Sequence, residues 1–457
     1  MKTKITKTNR KLLQKLFSVI AICSIASTGF ATEHTERVYA NNSNITLAGG
    51  DVYNIESGIG IRANNGGSIN VSPLGSGVTV NMVFSGTDAG RAVTAANNST
   101  IDIGFGSKLS ATSANVSSTS VVFGASGGSH LTGTNLEING YGRVTGSTAT
   151  SNAIIDLGTN SIIRTEFAGV QVGSKGTITA SDAYVYGKGT AINMFLGTVN
   201  MYNTTAVSDG PAVNFFGNEV PETPGDAAVV NFSGGSLYST GGSVVQINSE
   251  GTAQQHDMIL NITDGAQASS ESGVLYSQID TTVSTAGIDF TLNVDGTGTK
   301  VEGAFLGGTT ETNFNISDSA TWASTGSSNM NNLYLDNANL EFDMTSLSDS
   351  ITTGNLTLEG HSEALIGFTN DFLEEIMAAG GSMEDIDASI VTSFLDGDGD
   401  ITYSFKTSND QGSTWDITNN GDGTFDISNI NIIPEPSTYA LIFGLLALGF
   451  AIYRKRK

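Results

Sequence analysis

Ile61-Arg62-Ala63-Asn64-Asn65-Gly66-Gly67-Ser68-Ile69-Asn70-Val71 returns as Val93-Thr94-Ala95-Ala96-Asn97-Asn98-Ser99-Thr100-Ile101-Asp102-Ile103, every position offset by 32. In both copies β-branched residues alternate with small or polar ones on either side of an Asn-rich break. Alternation sends every second side chain to one face of a strand. Asn and Gly accept the left-handed backbone that a sharp corner needs. Strand, tight corner, strand is what one coil of a parallel β-helix requires. A looser form, one apolar residue followed eight positions later by another, recurs at Phe123/Leu131, Ile155/Ile163, Val170/Ile178 and Ala191/Val199. Successive starts lie 15 to 32 residues apart, a degenerate period. Periods of this order mean stacked units that bury their apolar faces only against their neighbours. Asn runs at the corners are expected to bond from coil to coil. The competing architecture is an array of Gly/Thr/Asn-rich β-sandwiches.

Composition agrees with an ordered β protein. The 457 residues include 56 Gly and only six Pro, and 39% are hydrophobic, so the chain lacks the profile of a disordered protein. The net charge is −24. Residues 32–433 hold ten Lys/Arg against 43 Asp/Glu, spread widely. That charge argues against nucleic acid and anionic lipid as partners.

Both ends read as address signals. Lys2, Lys4, Lys7, Arg10, Lys11 and Lys15 precede an apolar stretch over residues 16–30, and Gly29-Phe30-Ala31 puts small residues at −3 and −1. This predicts a secretory signal peptide over 1–31, cut after Ala31. The single cysteine, Cys23, lies inside the leader, so the mature chain is expected to have no disulfide and no thiolate site. At the other end, Pro434-Glu435-Pro436 is followed by 15 uncharged residues, 439–453, and then by Arg454, Lys455, Arg456 and Lys457. As a helix this span covers about 22 Å, against about 30 Å for a bilayer core, so it reaches across only with snorkelling ends or thinning. Tyr439 and Tyr453 fit the interfaces and the basic tail the cytoplasmic side. The order of motif, span and tail over 434–457 resembles the PEP-CTERM sorting signal of exported bacterial proteins. The resemblance implies processing at Pro434, Glu435 and Pro436 by an exosortase, a membrane-embedded transpeptidase-like enzyme. It also implies a transient stay in the inner membrane. The alternative is a permanent C-terminal anchor.

A second resemblance lies at Trp322-Ala323-Ser324-Thr325-Gly326, which is followed by Leu333-Tyr334-Leu335 and Leu340-Glu341-Phe342. This looks like the late passenger region of bacterial autotransporters, whose passengers are right-handed parallel β-helices. It covers about 30 residues and implies that hand for the body, 32–345. The sorting signal stands where that family carries a membrane β-barrel, so self-translocation is not expected.

Residues 346–433 are expected to form a small α+β cap. A helix over 371–379 is predicted with Asn370 as its cap. A second helix, opened by Ser382-Met383-Glu384-Asp385, would carry Ile386, Ile390 and Phe394. Strands are expected around Ile401/Tyr403/Phe405 and Trp415/Ile417, then a hairpin at 420–423 leading to Phe425 and Ile427.

Chemistry is sparse. His34, His130, His256 and His361 are far apart and lack ligand spacing, so all four are expected as ordinary surface residues. Glu374/Glu375 and Glu384/Asp385 mean little among so many acids, although glycoside hydrolysis needs a carboxylate pair. Arg62, Arg91, Arg143 and Arg164 are possible bases for a lyase, but none sits in an acidic run. Asp396-Gly397-Asp398-Gly399-Asp400 is the best cation candidate, because alternate carboxylates suit calcium. It departs from an EF-hand loop at Ile401 and Thr407, where glycine and glutamate belong. Calcium at Asp396, Asp398 and Asp400 is therefore weighed against a plain acidic turn. The expectation is an exported surface or matrix protein, adhesin-like and not an enzyme, associated with extracellular polysaccharide. The alternative is a secreted polysaccharide lyase or hydrolase on a β-helix.

Overall fold

Parallel strands stack with the offset that the repeat implies. Ile61 lies opposite Val93 and Ile69 opposite Ile101. The computed structural model describes residues 31–433 except 57, 73–76, 85–89, 114–119, 143, 217–218, 222, 224, 249–255, 280–288, 347, 380–381, 384–389 and 420–424. The apolar part of the leader, the sorting signal 434–457, Arg143, Glu384, Asp385, Ile386 and the turn at 420–423 lie outside the described residues. Among the described residues no helix is long and apolar enough to cross a membrane.

The chain divides into two compact units, 1–206 and 207–457. In the first, three faces recur in each coil. The first face runs through Val38–Asn41, Ile59–Asn64, Arg91–Ala95, Ser120–Ala125, Val144–Ala149, Ala168–Val172 and Thr190–Met194. Each strand pairs in parallel with the next. The second face begins at Asn44–Leu47 and the third at Glu33–His34. Along the first face the register advances by 32 residues from Ile61 to Val93, 30 to Phe123, 24 to Ser147, 23 to Val170 and 22 to Ile192. The period is degenerate because coil length changes while the strands stay in register.

The core is made of columns. Ala40, Ala63, Ala95, Ala125 and Ala149 stack directly and are buried. On the second face Ile69, Ile101, Leu131, Ile155, Ile178 and Val199 do the same. The eight-residue pairs in the sequence are thus neighbours across a corner. After Ala63, Ala95, Ala125 and Ala149 the chain turns through two left-handed residues, Asn65/Gly66, Asn97/Asn98, Gly127/Gly128 and Ser151/Asn152, and after Ala40 through one, Asn42. These corners also bond to one another. Asn98 N donates to Gly127 O at 2.7 Å and Gly128 N to Ser151 O at 2.9 Å.

The second unit continues the parallel pattern through Ala228–Ser239, Met258–Thr263, Asp289–Asp295, Glu311–Ser317, Ser328–Asp336 and Ile351–Glu359. Its interior holds an aromatic run. Tyr276 stacks on Phe290 at 4.9 Å and on Phe305 at 4.5 Å, and Phe305 on Phe314 at 5.3 Å. Trp322 meets Phe314 edge-on at 4.9 Å. Each such pair is worth about 0.5–1.5 kcal/mol beyond burial. Trp322 Nε1 donates to Gly303 O at 3.0 Å, so its polar end is satisfied. Gly303 must be glycine: its φ is 121° and a Cβ there would come within 2.7 Å of Leu275 N.

Three expectations for 346–433 are corrected. Ile351–Glu359 pairs with Ile390–Asp396, and His361–Phe368 with Asp400–Phe405, so the ladder runs past 345 to Phe405. Ile390–Asp396 is thus a strand where a second helix was expected, and Ser382–Met383 is a short strand paired with Phe425–Asn431. The helix at Asn370–Ala379, α1, is present, but Thr369 caps it: Thr369 Oγ1 accepts from Phe372 N at 3.4 Å. Asn370 Nδ2 instead donates to Ile433 O at 3.0 Å, and its Oδ1 accepts from Ser413 Oγ at 2.7 Å and Asn409 Nδ2 at 2.9 Å. Phe368 stacks on Phe372 at 4.6 Å and lies 5.5 Å from Trp415. Thr414–Asn419 and Phe425–Asn431 form the expected antiparallel pair.

Candidate functional site

The acidic motif closes a solenoid corner. Gly397 has φ 96°, and a Cβ on it would overlap Leu358 backbone. Gly399 N donates to Leu358 O at 3.0 Å and Asp400 N to Gly360 O at 3.0 Å. Asp400 Oδ1 lies 3.0 Å from His361 Nδ1, and that bond raises the imidazole pKa above its usual value. Asp398 is exposed, and the Asp396 side chain lies outside the described residues. Asp400 therefore already has a hydrogen-bond partner within the protein. Among the described residues no group of three or more His, Cys, Asp or Glu is placed to hold a metal ion.

The histidines are not all surface residues. His256 is buried, with Nδ1 3.0 Å from Asp257 O and Nε2 unpartnered. His34 stacks on Tyr53 at 4.7 Å and lies 3.2 Å from the buried carboxylate of Asp51. Burial first, and then the charge of Asp51, push the Tyr53 hydroxyl up to about 12. His130 is exposed. Glu374 and Glu375 lie on α1 and are exposed, and Arg164 stands over Tyr184 at 5.4 Å.

Side-chain ladders run along the outer faces. In the first unit Asn65 Nδ2 donates to Asn41 Oδ1 at 2.9 Å and Asn97 Nδ2 to Asn64 Oδ1 at 3.0 Å. In the second, Asn261 donates to Asn231 at 2.7 Å, Asn293 to Asn261 at 2.7 Å and Asn315 to Asn293 at 2.8 Å. A parallel row joins Asn332 to Asn313 at 2.7 Å and Asn355 to Asn332 at 2.5 Å. In the second unit the same amide recurs at the same register position on successive strands, away from the corners, whereas the corner asparagines of the first unit bond from coil to coil one position out of register.

The outer side of the first face carries a cleft of about 520 Å³ lined by Arg37, Val38, Tyr39, Gly58, Ile59 and Arg62. Tyr39 lies opposite Arg62 in register, and the Arg62 guanidinium sits 5.6 Å from the Tyr39 ring centre. Arg91 lies opposite Ile59 on the next strand. Burial, and then the charge of Arg62, lower the Arg91 pKa from its ordinary value. Sequence reading noticed Arg62 and Arg91 as separate bases. It missed their neighbourhood, which the 32-residue offset between coils could have shown, because Arg62 falls opposite Thr94 and Arg91 three residues before it.

Compared with known families, characterised proteins and solved structures, the chain matches none. Its function therefore rests on the residues themselves. The described residues offer two kinds of outer surface, amide-laddered sheet and arginine-lined cleft.

Proposed function

We infer that this chain is an exported structural or adhesin-like protein of the cell surface or extracellular matrix, sorted by its C-terminal signal and associated with polysaccharide. The observation that carries this reading is the in-register parallel stack with self-bonded polar outer faces. Within each unit such stacking presents a regular outer surface and places its apolar side chains inside. The role proposed is structural rather than catalytic.

The sequence supplies the address: a leader ending at Ala31, and Pro434-Glu435-Pro436 ahead of an apolar span and four basic residues. In this reading an exosortase-type enzyme acts at that motif while residues 439–453 sit as a helix in the inner membrane. The finer form proposed for the body is a right-handed parallel β-helix of the autotransporter-passenger kind. Trp322 and Gly326 support it, the first buried at the end of the aromatic run and the second at φ 75°.

Intact mass of the protein recovered from envelope and from medium tests the proposal. A species beginning near Thr32 and ending near Pro434 to Pro436 is expected. A species retaining Lys457 in both fractions would replace processing with permanent anchoring. Deleting 434–457 is expected to abolish surface retention, and unchanged retention would remove the sorting argument.

A further inference from the structure

Residues 32–433 hold only ten basic residues against 43 acidic ones, so most cations should find a carboxylate. Three lysines do. Lys108 pairs with Glu137 at 3.2 Å, Lys300 with Glu302 and Glu341 at 3.1 Å each, and Lys406 with Asp343 at 2.9 Å. Arg62 and Arg91 have no such partner among the described residues, although they lie on adjacent strands and repel each other. Arg62 Nε is buried with no hydrogen-bond partner, and Arg91 reaches only Thr94 Oγ1 at 3.4 Å. An anion cannot reach that buried Nε, but the Arg62 guanidinium lines the cleft and can take one there.

The space in front of these donors has a defined form. Gly58 lets the Arg37 guanidinium lie against the backbone, since a Cβ there would fall 2.7 Å from Arg37 Nη2. Arg62 covers one side of Tyr39, a residue that is still 49% exposed. A planar cation beside an open aromatic face suits a carboxylate on a ring of C–H groups: the guanidinium takes the carboxylate two-pronged and the aromatic carries the ring. Arg37 also lines a second cleft of about 600 Å³, where Thr35, Asn54 and Asn81 offer hydroxyl and amide groups beside one carboxylate, Glu56, which the ligand's acid groups must avoid. A ligand crossing both clefts is a chain rather than a single sugar.

We propose that the two clefts together bind an acidic polysaccharide through its uronate units, with Arg62 holding the carboxylate, Tyr39 carrying the sugar ring and Arg91 adding positive potential from the coil behind. The general acidity of the protein does not prevent this, because salt screens charge beyond about 8 Å and leaves the local arginines to act. The inference deepens the polysaccharide association proposed above and rests on it.

The test titrates the full chain, in detergent micelles, with a hexamer of α-1,4-linked galacturonate. The methyl ester of that hexamer and a hexaglutamate peptide serve as comparators. The free acid is expected to bind, and the ester, which keeps the sugar but loses the charge, to bind about tenfold more weakly or worse. Arg62→Lys is expected to cost about tenfold for the acid and Tyr39→Ala several-fold, with melting midpoints unchanged. In the unaltered protein, the hexamer is expected to shield Arg62 from phenylglyoxal, read by peptide mass. Equal binding of acid and ester, equal binding of hexaglutamate, or no protection of Arg62 would each overturn the proposal. A correctly sorted surface protein that ignores uronates refutes only the cleft. Uronate binding by a protein that never reaches the surface refutes the wider reading instead.

Discussion

Ser151 has φ 54° and Asn152 φ 60°, stacked beside Gly127 and Gly128 at 61° and 68°. The corner geometry is the same with and without a Cβ, so the non-glycine coil carries the strain of left-handed backbone, about 1–2 kcal/mol per residue. Replacing Ser151 with glycine removes that strain and returns part of it as unfolded-chain entropy. A net gain of about 0.5–1 kcal/mol is expected, read as a raised denaturation midpoint. His361 makes a second residue-scale prediction. Its bond to Asp400 favours the imidazolium in the folded state and raises its pKa above 6.5. The bond therefore adds stability in full below pH 6.5, and that contribution fades as pH climbs through the raised native value. An NMR titration should place the midpoint above 6.5, and Asp400→Asn should bring it back. Single residues were unevenly legible. The left-handed asparagines at 65, 97 and 98 could be read because few other residues accept that backbone. The burial of His256 could not, since nothing local marks a histidine as interior.

Elements were legible where one period alone fitted the pattern. Ile61 to Val71 alternates and bends at Asn-Gly, and no helix satisfies both. Ile386, Ile390 and Phe394 are spaced by four, which suits one side of a helix and equally every second residue of a strand. The vacant ladder edge of Ile351–Glu359 decides between them, because its backbone groups gain partners only if Ile390–Asp396 extends. The cap of α1 was misread by one residue for a similar reason. Thr369 and Asn370 are both good caps, and only the long-range bonds of Asn370 to Ser413, Asn409 and Ile433 separate their roles. Thr369→Ala should then cost about 1 kcal/mol. Asn370→Ala should cost more, about 2–3 kcal/mol, because it also leaves buried partners unsatisfied. Chemical denaturation gives the order, and hydrogen exchange at Ser413 and Ile433 should rise only in the Asn370 variant.

At the scale of the molecule, charge is the dominant unused energy. Asp289 lies opposite Glu311 on adjacent strands, and burial together with Glu311 and Asp257 raises its pKa. With so many carboxylates arrayed on neighbouring coils, raising ionic strength from about 20 to 500 mM should lift the melting midpoint, since the Debye length falls below the spacing of most such pairs. A flat response would mean that the acids are too dispersed to oppose folding. The signals at the two ends were read from order and composition alone, and they lie outside the described residues. The solenoid was legible from two copies of one coil, whereas its extent was not, because the coils shorten and lose their likeness while keeping register. The first corner has one more consequence. Asn65 precedes Gly66, the pairing in which the following peptide nitrogen most readily attacks the side-chain amide and expels ammonia. Water then opens the cyclic imide to aspartate or isoaspartate, so the donor that Asn65 gives to Asn41 would be lost and a carboxylate would face an amide oxygen in its place. The bond that joins two coils when the protein is young is thus set to come undone with time, and this corner would record its age as one added negative charge.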